Sequence, residues 1–253
     1  MAENAPRIVL ASPLHDPNSK LLPYIKKYGR ALKKIYKGNV CVAVTTETNP
    51  DVVTELKRLA FIVSSEHKNV ADNYRHAIKM GIELDAAYIH QIDFDRALHW
   101  VRRFPNELRD VAEVAPSYTG LLSFIRTKRA FETHPEIQRS TENVVNDIAS
   151  QVAGIKIDIM SGSYGFERRL AQKIVIEGKR NDFGFYAEFL IIALKHKFQI
   201  NTLEVEGLEW ETPDQYRDII ERKGYSKWLS EFTSLSEWEK RVKLLEESAN
   251  ALT

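Results

Sequence analysis

Ala86-Ala87-Tyr88-Ile89-His90-Gln91-Ile92-Asp93-Phe94-Asp95 is an apolar, partly alternating run that ends abruptly in two carboxylates one residue apart. The pattern predicts a buried strand that delivers Asp93 and Asp95 to the carboxyl edge of a sheet, the edge at which open α/β sheets bind ligands. Two acids held close together repel, which raises one pKa unless a hard divalent cation bearing phosphate oxygens neutralises them. One reading of the pair is therefore a metal and diphosphate site. The other is a turn that passes into a helix N-cap.

Upstream of this stretch, strands and helices alternate. Residues 7–11 read as a short strand broken by Ser12-Pro13 and Asp16-Pro17-Asn18. Leu21, Leu22, Ile25, Tyr28, Leu32 and Ile35 then recur at three- and four-residue steps, predicting an amphipathic helix. Gly38-Asn39 stops it, and 40–46 is near-continuously apolar, as a strand buried on both faces should be. Asn49-Pro50-Asp51 opens a second helix through Leu59, 61–63 is a third short strand, and 70–84 a third helix leading into the fourth strand. The order β-α-β-α-β-α-β implies right-handed crossovers and a mostly parallel sheet flanked by helices, an α/β fold.

Composition narrows the function classes. The 253 residues can bury a sizeable core as one large α/β domain, or as one domain with a helical appendage. With 36 basic and 35 acidic residues the net charge is +1, which leaves no electrostatic footprint for nucleic acid or an anionic membrane. Cys41 is the single cysteine, so an intramolecular disulfide and a thiolate metal cluster within one chain are excluded; it reads as a small buried hydrophobe. A polar start over residues 1–7 and the lack of any apolar run near the ~20 residues of a membrane span point to a cytoplasmic protein.

After Asp95 the pattern changes. Residues 98–114 read as a helix, 118–125 as a strand, 141–152 as a helix and 155–160 as an alternating strand. A loop follows, Ser161-Gly162-Ser163-Tyr164-Gly165, ahead of Arg168-Arg169. A strongly apolar helix over 182–196 opens with an acid, as the helix dipole prefers, and a last strand covers 198–205. Residues from Pro213 onward read as helical. Leu235, Trp238, Val242 and Leu245 give the final helix an apolar stripe that needs the body of the protein, or a second copy in a homodimer, to cover it.

The order of these features resembles the GT-A nucleotide-sugar glycosyltransferases, among them the family-2 enzymes and the retaining mannosylglycerate-synthase type. The features are a nucleotide-binding half ending in Asp93-Phe94-Asp95, a Gly-containing loop before Arg168-Arg169, and a helix opened by Asp182-Phe183-Gly184. The resemblance covers roughly residues 7–210. It implies a Rossmann-like GT-A domain over 1–210, with a nucleotide-binding half at about 7–115 and an acceptor half at about 116–210, followed by a helical extension over 211–253. It further implies transfer of a sugar from a nucleoside diphosphate sugar to a small acceptor, with Mn²⁺ or Mg²⁺ on the diphosphate acting as a Lewis acid.

Residue by residue, the resemblance places the metal on Asp95 and Asp93, with Asp93 also near the ribose, and nucleotide contacts at Pro13 and Glu47. Asp72 and Arg75, beside Asn73 on the helix before the fourth strand, fall in a donor-binding region. Gly162, Ser163 and Arg168 match the acceptor side, and Asp182 the position of the general base of inverting members. Each has a plainer reading too: Glu47 as a solvated loop acid, Arg75 and Arg168 as exposed helix residues, the glycines as turn formers, Asp182 as a helix-dipole acid. The sequence departs from the family pattern after the last strand. Where a histidine commonly supplies a third ligand it reads Gly207-Leu208-Glu209-Trp210-Glu211, so Glu209 or Glu211 is the substitute, or the Asp pair, nucleotide and water suffice. The rival within enzymes is a nucleotidyltransferase, and outside them a non-catalytic nucleotide- or sugar-binding protein of the same fold. The nucleotidyltransferase class usually carries Gly and a basic residue just after the first strand, where this chain has Ala11-Ser12-Pro13-Leu14-His15.

Overall fold

Successive side chains of a strand point to opposite faces, and the first strand shows what that means for this chain. A computed structural model describes residues 8–66 and 69–253. In β1 (Ile8–Leu14), Val9 and Ala11 enter one apolar core while Leu10 and Leu14 enter another. A sheet with helices on both faces is the only arrangement that buries both sets. The residue at which the first strand was expected to start, Arg7, lies outside the described residues.

The remaining strands are β2 (Val40–Val44), β3 (Ile62–Ser64), β4 (Tyr88–Ile92), β5 (Leu121–Arg126), β6 (Ser163–Glu167) and β7 (Ile200–Val205). They form one seven-stranded sheet in the order β3-β2-β1-β4-β6-β5-β7. All neighbours run parallel except β6, which is antiparallel to both β4 and β5. The expected α/β fold with a mostly parallel sheet is thus the observed one.

Chain order sets the position of the site. The chain steps from β1 outward to β2 and β3, then returns to lay β4 on the other side of β1. The gap between the carboxyl ends of β1 and β4 is therefore a topological switch point, the crevice in which such sheets bind ligands. On one face lie α1 (Leu22–Ile35), α2 (Pro50–Arg58), α4 (Phe94–Arg103) and α5 (Pro105–Val114). On the other lie α3 (Val70–Glu83), α7 (Glu136–Ala153), α8 (Arg168–Glu177) and α9 (Phe185–Lys195). The short α6 (Lys128–Glu132) follows β5, and Cys41 is fully buried in β2, its thiol pKa pushed up to about 12 by burial.

Three expectations change. The helix expected over 98–114 is two helices, broken between Phe104 and Pro105 because a proline disfavours helical geometry in the residue before it. No strand forms over 155–160. Instead Asp158 turns inward to take the guanidinium of Arg126, with Nε at 2.7 Å and Nη2 at 2.8 Å, and the segment lies against α7 through Ser150 and Asn146. The expected loop at 161–165 is largely strand β6, held in register Ile92↔Ser163, Gln91↔Tyr164 and His90↔Gly165.

The C-terminal segment is helical: a 3₁₀ turn (Thr212–Tyr216), α10 (Arg217–Lys223), α11 (Tyr225–Phe232) and α12 (Leu235–Leu252). The body covers α12, which packs on α7 and α9 through Leu244, Ser248 and Leu252, with Leu245 half-buried beside them. The first half of the expected stripe, Leu235, Trp238 and Val242, stays exposed. No helix among the described residues is long and apolar enough to cross a membrane.

Candidate functional site

At the end of β4 the chain turns straight into α4, with Asp93 at the N-cap position and Asp95 in the first turn. Both sequence readings of the pair therefore hold at the level of backbone. The side chains decide between them, because Asp93 makes no capping hydrogen bond. Its Oδ1 accepts from the phenol of Tyr74, and its Oδ2 lies 3.2 Å from Arg96 Nε. Asp95 accepts from the backbone N–H of Arg96 at 2.8 Å and from Gln215 Nε2 at 2.7 Å.

Charge around the pair is unbalanced. Arg96 Nη1 is 3.6 Å from Glu211 Oε2, so one guanidinium serves three carboxylates, those of Asp93, Asp95 and Glu211. Burial raises the pKa of Asp93, with Glu211 adding to the rise, while Arg96 and the Tyr74 hydroxyl oppose it. Asp95 has less compensation. Burial, then Glu211 and Asp93, push it to about 8. A site that holds excess negative charge in a poorly solvated crevice is one that a divalent cation would neutralise.

The pair opens on a cavity of about 200 Å³ between the carboxyl ends of β1 and β4. β1 contributes Pro13, Leu14 and the following His15; β2 contributes the following Thr45; α3 contributes Asn73 and Tyr74; Gln215 closes the far side. His15 Nδ1 and Thr45 Oγ1 are hydrogen-bonded at 2.8 Å. Asn73 is 1% exposed and spends its Nδ2 on the carbonyl of Ala43, while its Oδ1 is buried without a hydrogen-bond partner. An unpaired buried acceptor is costly to the fold. None of the residues that line the cavity is Lys or Arg.

The structure brings together only part of the residue set read from the sequence. Pro13, Asp93 and Asp95 line the cavity. Gly162 lies against Asp93 and Arg96 with φ +69, and a Cβ there would stand 2.9 Å from Asp93 Oδ2, so the close approach requires glycine. Ser163 is fully buried, its hydroxyl 2.9 Å from His90 Nε2. That histidine, bridged on its other side to Tyr36 at 2.7 Å, has its pKa pushed down to about 3 by burial. Glu47 is exposed and outside the cavity, where β2 contributes Thr45 instead.

Asp72 and Arg75 pair with each other at 2.6 Å on the outward side of α3. Arg75 also donates to the carbonyl of Arg180 and to Asn181, bracing α3 against residues 180–181 instead of lining the cavity. Arg168 is at the wrong end of the sheet for the acceptor role. Its N–H and Nη1 donate to Ala87 and Ala86 at the amino end of β4. Because β6 runs antiparallel to β4, the five residues from Ser163 to Glu167 carry it roughly 13 Å from the Asp pair.

Glu209 does not approach the pair either. Its carboxylate is held by Arg129, by Arg103 at 3.2 Å and by His99 at 3.3 Å, and Glu211 is the acid that stands beside Arg96. Among the described residues no three His, Cys, Asp or Glu side chains converge as a metal site. Asp182 takes a two-point contact from Arg180 at 2.9 Å on each oxygen and the N–H of Gly184 at 3.0 Å. The Arg180 hydrogen bond lowers its pKa below the usual carboxylate range, which makes it a weak proton acceptor.

Tyr74, Tyr186, Thr45 and Gln215 were not singled out from the sequence. Tyr74 carries a periodic signal, since Ala71, Tyr74, Ala77 and Ile78 form the buried face of α3 while Asp72 and Arg75 point away. Gln215, 120 positions from its partner Asp95, carries none.

No protein-family model matches the chain, and no curated protein matches it. Solved structures do. CMP:2-keto-3-deoxy-manno-octonic acid synthetase complexed with CTP is 15% identical, covers 84% of this chain and 96% of its own, and superposes with a TM-score of 0.50. A mannosyltransferase from Pyrobaculum calidifontis in complex with GDP-Man and Mn²⁺ is 17% identical over 97% of this chain and 70% of its own, with a TM-score of 0.48. A cytidylyltransferase from Leptospira borgpetersenii serovar Hardjo-bovis is 13% identical over 97% and 96%, with a TM-score of 0.47. At these identities the likeness is one of fold: the chain has a GT-A-like, Rossmann-like α/β architecture.

Proposed function

We propose that this protein is a metal-assisted transferase that uses a nucleoside diphosphate sugar and passes the sugar to a small acceptor. One observation carries the reading. The switch-point cavity holds two carboxylates with unbalanced charge and no lysine or arginine in its lining, an arrangement that favours phosphate entering together with a cation. Asp95 and Asp93 are the residues that would hold a divalent ion, Mn²⁺ or Mg²⁺, with the remaining positions left to phosphate oxygens and water, as a hard cation permits. When bound, the ion would supply Lewis-acid stabilisation of the charge that grows on the departing diphosphate.

The chain's own residues do the rest. Tyr74 and Arg96 orient Asp93, Gln215 and the Arg96 N–H orient Asp95, and Gly162 lets the turn before β6 pack against Asp93 and Arg96. Asn73 and His15, which line the cavity, are the polar residues that would meet the nucleoside. Gly162 is the part of the expected acceptor side that meets the site. Asp182, charged and clamped by Arg180, is a poor candidate for the base.

Nucleotidyl transfer is the second reading, supported by the likeness to a synthetase complexed with CTP. The two differ in product. Incubation with Mn²⁺ and a panel of nucleotide sugars should release nucleoside diphosphate, and Asp95→Ala should abolish it. Release of pyrophosphate from nucleoside triphosphates and a sugar or sugar phosphate would establish the second reading instead. Failure of every nucleotide to bind would overturn both.

A further inference from the structure

We propose that a second cavity, next to the first, is a binding site for a small organic phosphate. It measures about 440 Å³, twice the switch-point cavity or more, and lies between α1 and the segment that runs from the 3₁₀ turn into α10. Gln215 lines both cavities, facing Asp95 in one and bordering the other. The inference needs no donor nucleotide and stands apart from the transferase reading.

Its walls carry two kinds of chemistry. Lys20 and Lys27 come from the α1 side, Arg217 and Arg222 from α10. The ammonium of Lys20 lies 3.8 Å from the centre of the Tyr216 ring, and that of Lys27 lies 5.3 Å from Tyr28. Among the described residues neither lysine reaches a carboxylate. Two acids also border the space. Asp214, turned to Arg102 at 2.7 Å and His99 at 2.8 Å, and Asp218 are thus two acids facing four cations. Arg217 has an exposed partner in Glu221 at 3.1 Å, a pair that solvent weakens and a phosphate can outcompete.

The second kind is aromatic. Tyr24 and Tyr28, one helical turn apart, stack with centroids 6.4 Å apart, and Tyr216 faces them from the other wall. Tyrosine faces take the apolar side of a sugar ring or the plane of a base, while the cations take the phosphate. Buried Asp16 accepts the N–H groups of Lys20 and Leu21, both at 2.8 Å, which fixes the backbone that carries Lys20. Cations beside ring-sized apolar faces in a cavity of this volume suit a phosphate attached to a ring.

Calorimetric titration of the full chain without divalent metal tests this, using mannose 6-phosphate, uridine 5′-monophosphate, their unphosphorylated parents and inorganic phosphate. One of the two phosphorylated probes should bind at least about tenfold tighter than both its parent and inorganic phosphate, and which one does so tells sugar phosphate from nucleotide. Lys20→Ala with Lys27→Ala, both at solvent-reachable positions, should weaken that binding about tenfold or more, Tyr24→Leu should weaken it as well, and Asp95→Asn should leave it within about twofold. No preference for a phosphorylated probe, or binding that Asp95→Asn removes and the lysine variant does not, would overturn the proposal.

Discussion

The phenol of Tyr74 on α3 donates to Oδ1 of Asp93, the residue that precedes the first turn of α4. This bond explains why an aspartate at an N-cap position caps nothing. Tyr74 is in turn 2.7 Å from the hydroxyl of Tyr186 on α9, so both tyrosines are tied to the site carboxylate. The hydroxyl favours the charged form of Asp93 against the pull of burial. Tyr74→Phe should raise the Asp93 pKa further and weaken Mn²⁺ binding about tenfold near pH 7, since hydrogen bonds to charged groups are worth about 1.5–3 kcal/mol. Metal titration at several pH values is the measurement. An unchanged affinity and pH profile would mean that Tyr74 only packs.

Asp95 gives a pH dependence with a definite sign. Its pKa is raised from 3.8 in the unfolded chain to about 8 in the fold, so the folded state binds the proton more tightly. That proton stabilises the fold fully below pH 3.8; the contribution declines as the pH rises and is gone above about 8. Asp95→Asn copies the neutral form. Its Tm should therefore exceed that of the parent by more at pH 9 than at pH 5, at about 2–4 °C for each kcal/mol of relief in a chain of this size. Mn²⁺ should stabilise the parent more at pH 8.5 than at pH 6, because metal and proton compete for one carboxylate, and should do little for the variant.

The same residues show how much could be read before the fold was known. The alternation of 86–95 and its two terminal acids marked a buried strand and its edge, and the β-α succession before it gave the parallel half of the sheet, because these are local patterns with a period. β6 escaped. Its Ser163-Tyr164-Gly165 core looks like a turn, and it is a strand only because β4 and β5 offer ladders on both sides. Misreading β6 as a loop also misplaced Arg168, since an antiparallel strand carries the next helix to the opposite edge. The resemblance points to Asp72 and Arg75, but the residues of α3 that line the cavity are Asn73 and Tyr74, while Asp72 and Arg75 pair with each other away from it. Glu209 and Glu211, two positions apart, were equivalent in sequence; a basic cluster of Arg103 and Arg129 claims one and Arg96 the other.

Arg126, at the carboxyl end of β5, is fully buried with Asp158 and Glu142 as partners, Nη1 standing 2.7 Å from Glu142. It ties α7 and residues 158–162 to the sheet and so fixes the turn that carries Gly162. Arg126→Met leaves two buried carboxylates facing an apolar side chain, which should cost about 3–5 kcal/mol in urea unfolding. Adding Asp158→Asn and Glu142→Gln removes the stranded charges and should recover more than half of that loss. If the triple variant is no more stable than the single one, the destabilisation comes chiefly from lost packing of the guanidinium over Phe131, 4.7 Å from the ring centre.

Gly162 separates fold from site most cleanly. At φ +69 any L-residue is strained, by about 1–2 kcal/mol for alanine. The added methyl would also stand 2.9 Å from Asp93 Oδ2 and 3.0 Å from Arg96 Nε, closer than such atoms approach, and the atoms that must yield belong to the site. Gly162→Ala should therefore lower stability by about that strain and also displace the Asp93–Arg96 pair, cutting Mn²⁺-dependent nucleotide binding about tenfold or more. Gly154→Ala is the control: it too has positive φ, at +71, but a Cβ there meets nothing within 4 Å. The control should show the same loss in Tm and none in binding. Equal binding in both variants would show that Asp93 can move without consequence, and that the close packing of this turn serves the fold alone.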